Sequence, residues 1–238
     1  MPNSELINKY NLYAFDYIES PHKSFWTAEW GHEEYKNRII NLLHSREPFV
    51  LYLHIPFCRQ MCYFCLCHFK ITHDYGRVRA YAQSLGREIR LVRDLIAGEG
   101  GGWPTIREVH FGGGSPTYMR EAEFEAVKAQ LGEFVRFEDL DEFTIEIDPR
   151  TIGRDRLAFY ADQGINRISF GVQDFDEKVG EAINRVQPAE LIENLLMPQI
   201  RVRFDSVNFD MLVGLPRQTM ETLRESMRRV LGIRPDRV

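Results

Sequence analysis

Tyr52-Leu53-His54-Ile55-Pro56-Phe57-Cys58-Arg59-Gln60-Met61-Cys62-Tyr63-Phe64-Cys65-Leu66-Cys67 is the stretch on which the reading of this chain turns. It continues an apolar run from Phe49, reads as a buried strand to His54, and passes through Pro56 into a loop holding every cysteine of the chain. The spacing is C-x3-C-x2-C-x-C, so Cys58, Cys62, Cys65 and Cys67 fall within ten positions. A disulfide framework spreads its cysteines to staple distant segments and belongs to oxidising compartments. Reduced core cysteines have no physical reason to bunch, so the crowding points to metal. Thiolates are the usual ligands of iron–sulfur clusters. Three closely spaced cysteines on one loop can hold three irons of a four-iron cluster and leave the fourth open to an outside ligand. Zinc competes, but structural zinc draws on two separated cysteine knuckles and only one compact group is present. A ferredoxin-like electron-transfer role fits neither this spacing nor the elements around it.

Outward from that loop, short β-branched runs alternate with helical patterns. Tyr81, Leu85, Ile89, Val92 and Ile96 recur at helical spacing, and Gly98 with Gly100–Gly102 ends the run. Glu108–Phe111 reads as a strand entering Gly112, Gly113 and Gly114, followed by a helix marked by Phe124, Val127, Leu131 and Phe134. Phe143–Ile147 is a third strand, the helix around Leu157 and Tyr160 stops at Gly164, and Arg167–Val172 is a fourth. A helix over Ala189–Leu196, a fifth strand over Ser206–Val213, and a helix around Leu223, Met227 and Val230 complete the series. Strict alternation means parallel strands with helical crossovers. The special residues all follow strands, where such folds place their sites. Such a succession of strands and helices curves into a barrel or an open doubly wound sheet, and the regularity favours the barrel: the expected fold is α/β, a partial parallel (β/α)6 TIM-like barrel. Asp236-Arg237-Val238 reads as the start of a sixth strand, so this sequence is expected to be part of a longer protein. Residues 1–45 read as a leader and 46–238 as the core domain.

A net charge of −5 offers no footprint for nucleic acid. No run of about 18 apolar residues could span a bilayer, and the first residues lack a signal-peptide pattern. A cytoplasmic location is the default expectation.

Taken together, these stretches are specific. The Tyr52–Cys67 stretch resembles the signature of radical S-adenosylmethionine (SAM) enzymes, and Cys67 after the third cysteine narrows it to the oxygen-independent coproporphyrinogen III oxidase family. The likeness continues through Phe111–Thr117, Ile145–Arg150, Ser169–Phe175, Asn184-Arg185 and Asp210–Pro216, each after its expected strand. It implies the radical SAM barrel, a [4Fe–4S] cluster on Cys58, Cys62 and Cys65, one or two SAM molecules, and Cys67 as a non-ligand.

The resemblance also implies SAM contacts at Tyr52, Phe64, Gly113, Gly114, Ser115, Glu146, Gln173, Arg185 and Asp210. By themselves these residues leave other readings open. The glycine run suits either a tight turn or close approach of a ligand to backbone N–H groups. Glu146 in an apolar strand needs a cation or hydrogen bonds, and a structural ion pair would serve. Tyr52 and Phe64 could be core aromatics. Arg201, Arg203 and Arg217 could meet propionates or lie exposed, and Ser20–Trp26 could face a flat anionic tetrapyrrole or pack as part of the leader.

The implied reaction is oxidative decarboxylation of two propionates of coproporphyrinogen III to the vinyl groups of protoporphyrinogen IX, on the heme pathway. A 5′-deoxyadenosyl radical from SAM removes a hydrogen, and CO2 and an electron leave. The implied partners are a porphyrinogen substrate and an electron donor such as flavodoxin or ferredoxin. Leu66, where the family's oxidases usually carry glycine, keeps a related radical SAM C-methyltransferase or tailoring enzyme open. A non-catalytic heme-binding carrier is the alternative from another class.

Overall fold

The computed structural model describes residues 31–45, 47–100 and 102–238, and the chain separates into two units, Met1–Ser45 and Arg46–Val238. The described part of the first unit is a helix, α1 (His32–Ser45), in a segment the sequence reads only as a leader. Glu33 and Glu34 in its first turn and His44 in its last suit the helix dipole. Ser20–Trp26 lies outside the described residues.

The second unit runs β1 (Phe49–Ile55), β2 (Phe57–Cys58), β3 (Lys70–Ile71), α2 (Tyr75–Gly98), β4 (Ile106–Gly113) and α3 (Glu121–Leu131). It continues with β5 (Glu142–Ile147), α4 (Arg154–Asp162), β6 (Arg167–Gln173), α5 (Glu177–Ala182), α6 (Ala189–Leu195), α7 (Pro198–Arg201), β7 (Ser206–Met211) and α8 (Met220–Ile233). Five strands form one parallel sheet in the order β1-β4-β5-β6-β7, the parallel α/β arrangement that the alternation predicts and a partial barrel of the kind that the resemblance implies. Arg237 starts a further pairing, bridging Asn208 in parallel while the Phe209 N–H donates to its carbonyl at 3.0 Å. Among the described residues no helix is long and apolar enough to cross a membrane.

The two-residue period of the strands separates packing from chemistry. Val109 and Phe111, Phe143 and Ile145, Ile168 and Phe170, and Val207 and Phe209 are all buried. Phe111 meets Phe124 of α3 at 5.0 Å between ring centroids, and Phe124 meets Tyr160 of α4 at 5.2 Å. Each such side chain contributes about 1.5–3 kcal/mol by leaving water. The alternate residues carry the polar groups: Tyr52 pairs with His110, Glu146 with Ser169, Ser169 with Asn208, and Gly171 with Asp210.

Three local features differ from the sequence reading. β7 ends at Met211 rather than Val213, because Gln173 takes a left-handed backbone (φ 67°) where the register shifts, and its carbonyl receives the Leu212 N–H at 3.0 Å. Phe134 lies past the end of α3, which stops at Leu131, yet is buried against Trp103. The short α5 has too few apolar positions for a periodic signal, and Asp176 caps it by accepting the Val179 N–H at 3.0 Å.

Candidate functional site

The cysteine loop is closed at its base by β2 and β3, whose pairing places Cys58 beside Ile71. The Lys70 N–H donates to the Pro56 carbonyl at 2.6 Å and the Thr72 N–H to the Cys58 carbonyl at 3.1 Å. Its far side is strapped to the turn after α5. The Tyr63 N–H donates to the Ile183 carbonyl at 3.0 Å, Asn184 Nδ2 to the Met61 carbonyl at 2.7 Å, and Gln60 Nε2 to Asn184 Oδ1 at 2.6 Å. Asn184 sits at φ 56°, a left-handed conformation that asparagine tolerates. Phe64 adds an apolar anchor, packing on the cluster of Val179, Ile183 and Leu215.

Cys58, Cys62, Cys65 and Cys67 line one cavity of about 240 Å3. Phe64, Gly113, Gly114, Glu146, Gln173, Arg185 and Asp210 line it too, although they come from six separate segments. Tyr52 stands at its side, 54% exposed, stacked on His110 at 5.6 Å between ring centroids. Ser115 is buried, 3.3 Å from the Thr117 hydroxyl, and lines a neighbouring cavity with Arg59 and Arg120. Arg201 pairs with Asp236 and Arg203 with Asp162, while Arg217 is exposed near Glu181.

The glycine run is dictated by contact. A Cβ on Gly112 would lie 2.7 Å from the Tyr52 ring and 2.8 Å from the Glu146 carboxylate. One on Gly113, itself at φ 114°, would lie 2.7 Å from the His54 ring. One on Gly114 would lie 2.8 Å from the Pro56 backbone and 3.0 Å from Cys58 Sγ. The end of β4 therefore abuts side chains of β1 and β5 and, at Gly114, the cysteine loop, with no room for side chains of its own. Among the described residues Glu146 is held by hydrogen bonds rather than by an arginine or lysine: the Gly113 N–H donates to it at 3.1 Å, and His110 Nε2 lies 3.1 Å from its other oxygen.

Two arginines converge on Cys62, the one buried thiol of the four. Arg150 Nη2 donates to its sulfur at 3.6 Å and Arg185 Nη1 at 3.5 Å. Asp148 fixes Arg150 by a fork, accepting from Nε at 2.9 Å and Nη2 at 2.7 Å, and lies 3.5 Å from Arg185. Burial pushes the Asp148 carboxyl upward, and the hydrogen bonds and charges of Arg150 and Arg185 outweigh it, holding it below the usual range. The Cys58 thiol is pushed up to about 12 by burial, then by Cys65 and Asp148. Burial and then Glu146 move Tyr52 to about 12. Asp148, Arg150, Asn184 and His110 are the site neighbours that the sequence reading does not assign. The i, i+2 spacing of Asp148 and Arg150 around Pro149 is the one local signal, since an aspartate capping a short turn can draw its arginine back.

The donor set fits a polynuclear cluster. Cys58, Cys62 and Cys65 line one cavity, Gly114 has no Cβ to crowd Cys58 Sγ, and thiolates are the usual iron–sulfur ligands, each able to hold a separate iron.

A parallel sheet with a three-cysteine loop at the carboxyl end of its first strand defines a class, and the model of the Radical SAM superfamily matches residues 52–230. The chain belongs to that superfamily. It is 35% identical over 233 residues to the oxygen-independent coproporphyrinogen III oxidase of Escherichia coli and 33% over 236 residues to that of Synechocystis. These alignments take in 98% and 99% of this chain and 50% of each relative, so the chain spans about half the length of the curated relatives it matches. The solved coproporphyrinogen III oxidase from Escherichia coli superposes with a TM-score of 0.80 at 34% identity, over 94% of this chain and 50% of that one. A radical SAM methyltransferase from Kitasatospora setae, at 15% identity and TM-score 0.51 over 82% of this chain and 36% of that one, shares the fold alone.

Proposed function

We propose that this chain forms the cluster- and SAM-binding half of an oxygen-independent coproporphyrinogen III oxidase, converting two propionates of the porphyrinogen to vinyl groups. The observation that carries the proposal is one cavity lined by Cys58, Cys62 and Cys65 together with Glu146, Gln173, Arg185 and Asp210. When bound, the [4Fe–4S] cluster and SAM supply a 5′-deoxyadenosyl radical on receipt of one electron.

Cys58, Cys62 and Cys65 are the cluster ligands in this reading. Glu146, oriented by His110 and the Gly113 N–H, presents a carboxylate suited to the ammonium group of SAM. Arg185 brings positive charge to the cavity wall, and Gln173 and Asp210 set polar groups at the ends of β6 and β7. The Asp210 carboxylate is oriented by Ser169 Oγ at 2.9 Å and Asn208 Nδ2 at 2.8 Å. Phe64, packed on Val179, Ile183 and Leu215, and the β2–β3 pairing hold the loop in place. Leu66, the departure that keeps a tailoring enzyme open, is 99% exposed and lines no part of the cavity. A flavodoxin- or ferredoxin-type donor would supply the electron.

Anaerobic reconstitution of the chain, followed by assay of 5′-deoxyadenosine and protoporphyrinogen IX from SAM and coproporphyrinogen III, tests the proposal. Deoxyadenosine with two CO2 per porphyrinogen is expected of the oxidase. Deoxyadenosine without porphyrin product would move the substrate elsewhere, and well-folded protein that takes up no cluster would overturn the proposal.

A further inference from the structure

We propose that Arg150 is a positioning residue for electron uptake: clamped by Asp148, it donates to the Cys62 sulfur and makes a cluster held there easier to reduce. The inference rests on the cluster reading above and concerns a residue to which that reading gives no task. Arg150 is locked before it reaches sulfur. Its Nε and Nη2 fork onto Asp148 at 2.9 and 2.7 Å, its own backbone N–H donates to the same carboxylate at 3.1 Å, and Nη1 lies 3.4 Å from the Asn184 carbonyl. Little rotamer freedom remains to be lost when Nη2 also donates to Cys62 Sγ at 3.6 Å. Cys62 is the most enclosed of the four thiols, so charge next to it is poorly screened. With Arg185 at 3.5 Å from the same sulfur, two guanidinium groups and one carboxylate leave a local excess of one positive charge.

The step concerned is simple to balance. A one-electron donor of the flavodoxin or ferredoxin class is oxidised by one electron, the cluster is reduced by one, and no proton moves. Added negative charge spreads onto the cysteine sulfurs. Hydrogen bonds to those sulfurs and nearby positive charge therefore favour the reduced state and raise its potential. A lysine could supply the charge but could not fork onto Asp148 while also reaching sulfur.

The test is a redox titration of the reconstituted full chain, followed by electron paramagnetic resonance, with iron and sulfide content measured alongside. Arg150→Met is expected to keep the cluster and shift the midpoint negative, lowering the reduced-to-oxidised ratio at fixed potential about tenfold (~59 mV for one electron). Arg150→Lys is expected to recover less than half of that shift. An unchanged midpoint in a fully loaded Arg150→Met protein overturns the proposal. So does complete recovery by Arg150→Lys, which would leave charge alone and no positioned bond. If Arg150→Met holds no iron, Arg150→Lys decides, since a midpoint equal to that of the parent overturns the proposal. A parent chain without iron would bring down the proposed function itself, which the iron and sulfide analysis detects separately.

Discussion

Asn184 Nδ2 donates to the Met61 carbonyl across 2.7 Å, joining the cysteine loop to a turn 123 positions later in the chain. The loop's shape therefore depends on a residue far from it in sequence. Replacing Asn184 by Ala removes this bond and the one from Gln60, and sets an unfavourable side chain at φ 56°. Hydrogen exchange over residues 59–65 is expected to quicken by an amount equivalent to about 1–2 kcal/mol of lost protection. Asn184→Gly, which suits the backbone but lacks the amide, should recover only part of it. Equal exchange in all three proteins would count against the strap.

Gly114→Ala is expected to abolish cluster retention while the domain stays folded. The new Cβ would sit 2.8 Å from the Pro56 backbone and 3.0 Å from Cys58 Sγ, so the loop must move to accept it. Gly98→Ala is the comparison, because nothing lies within 4 Å of its Cβ and it closes α2. That change should leave iron content untouched and stabilise the fold by about 0.4–1 kcal/mol. Iron per chain and thermal unfolding of both variants check the contrast.

Glu146→Gln keeps the shape of the side chain and removes its charge. Affinity of the reconstituted protein for SAM is expected to fall about 10- to 100-fold, the range for losing a charge-assisted hydrogen bond. The unfolding midpoint should scarcely change, since among the described residues the carboxylate has no arginine or lysine counterpart to leave unpaired. Titration calorimetry gives the first quantity and circular dichroism the second. An undiminished affinity would remove Glu146 from the SAM site.

Acid should loosen the sheet through Glu142. Burial raises its pKa, but hydrogen bonds and charge from Arg167 and Arg237 prevail and hold it below the ordinary carboxylate value. A depressed folded pKa means that the stabilisation is complete above the unfolded-state pKa and is lost as pH falls through the folded one. Wild-type stability attributable to this group should therefore be constant near neutrality and decline below about pH 4. Glu142→Gln should cost roughly 1 kcal/mol at pH 7 and flatten that decline. Urea unfolding of both proteins between pH 3 and 7 measures it.

The five sheet strands with the longer helices between them, the parallel sheet and the crowding of four thiols on one loop are readable from local patterns, whereas α1, the short α5 and α7, and the β2–β3 pair are not. Phe111, Phe143, Phe170 and Phe209 announce their burial by alternation, and the helices by spacings of three and four. These are properties of short segments, and the physics that sets them acts over a few residues. The nine proposed SAM contacts are different, because they follow from resemblance and only the fold shows seven of them around one cavity, Tyr52 beside it and Ser115 facing another. The Asp148–Arg150 fork on Cys62 and the Asn184 strap to Met61 depend on where β5 and the turn after α5 end in space. No local pattern carries those distances, since they arise from how successive strands stack side by side and aim the residues at their ends toward one point. The sequence by itself therefore determined the class of fold and the kind of metal chemistry. Tertiary packing alone decided which charges surround the buried thiol.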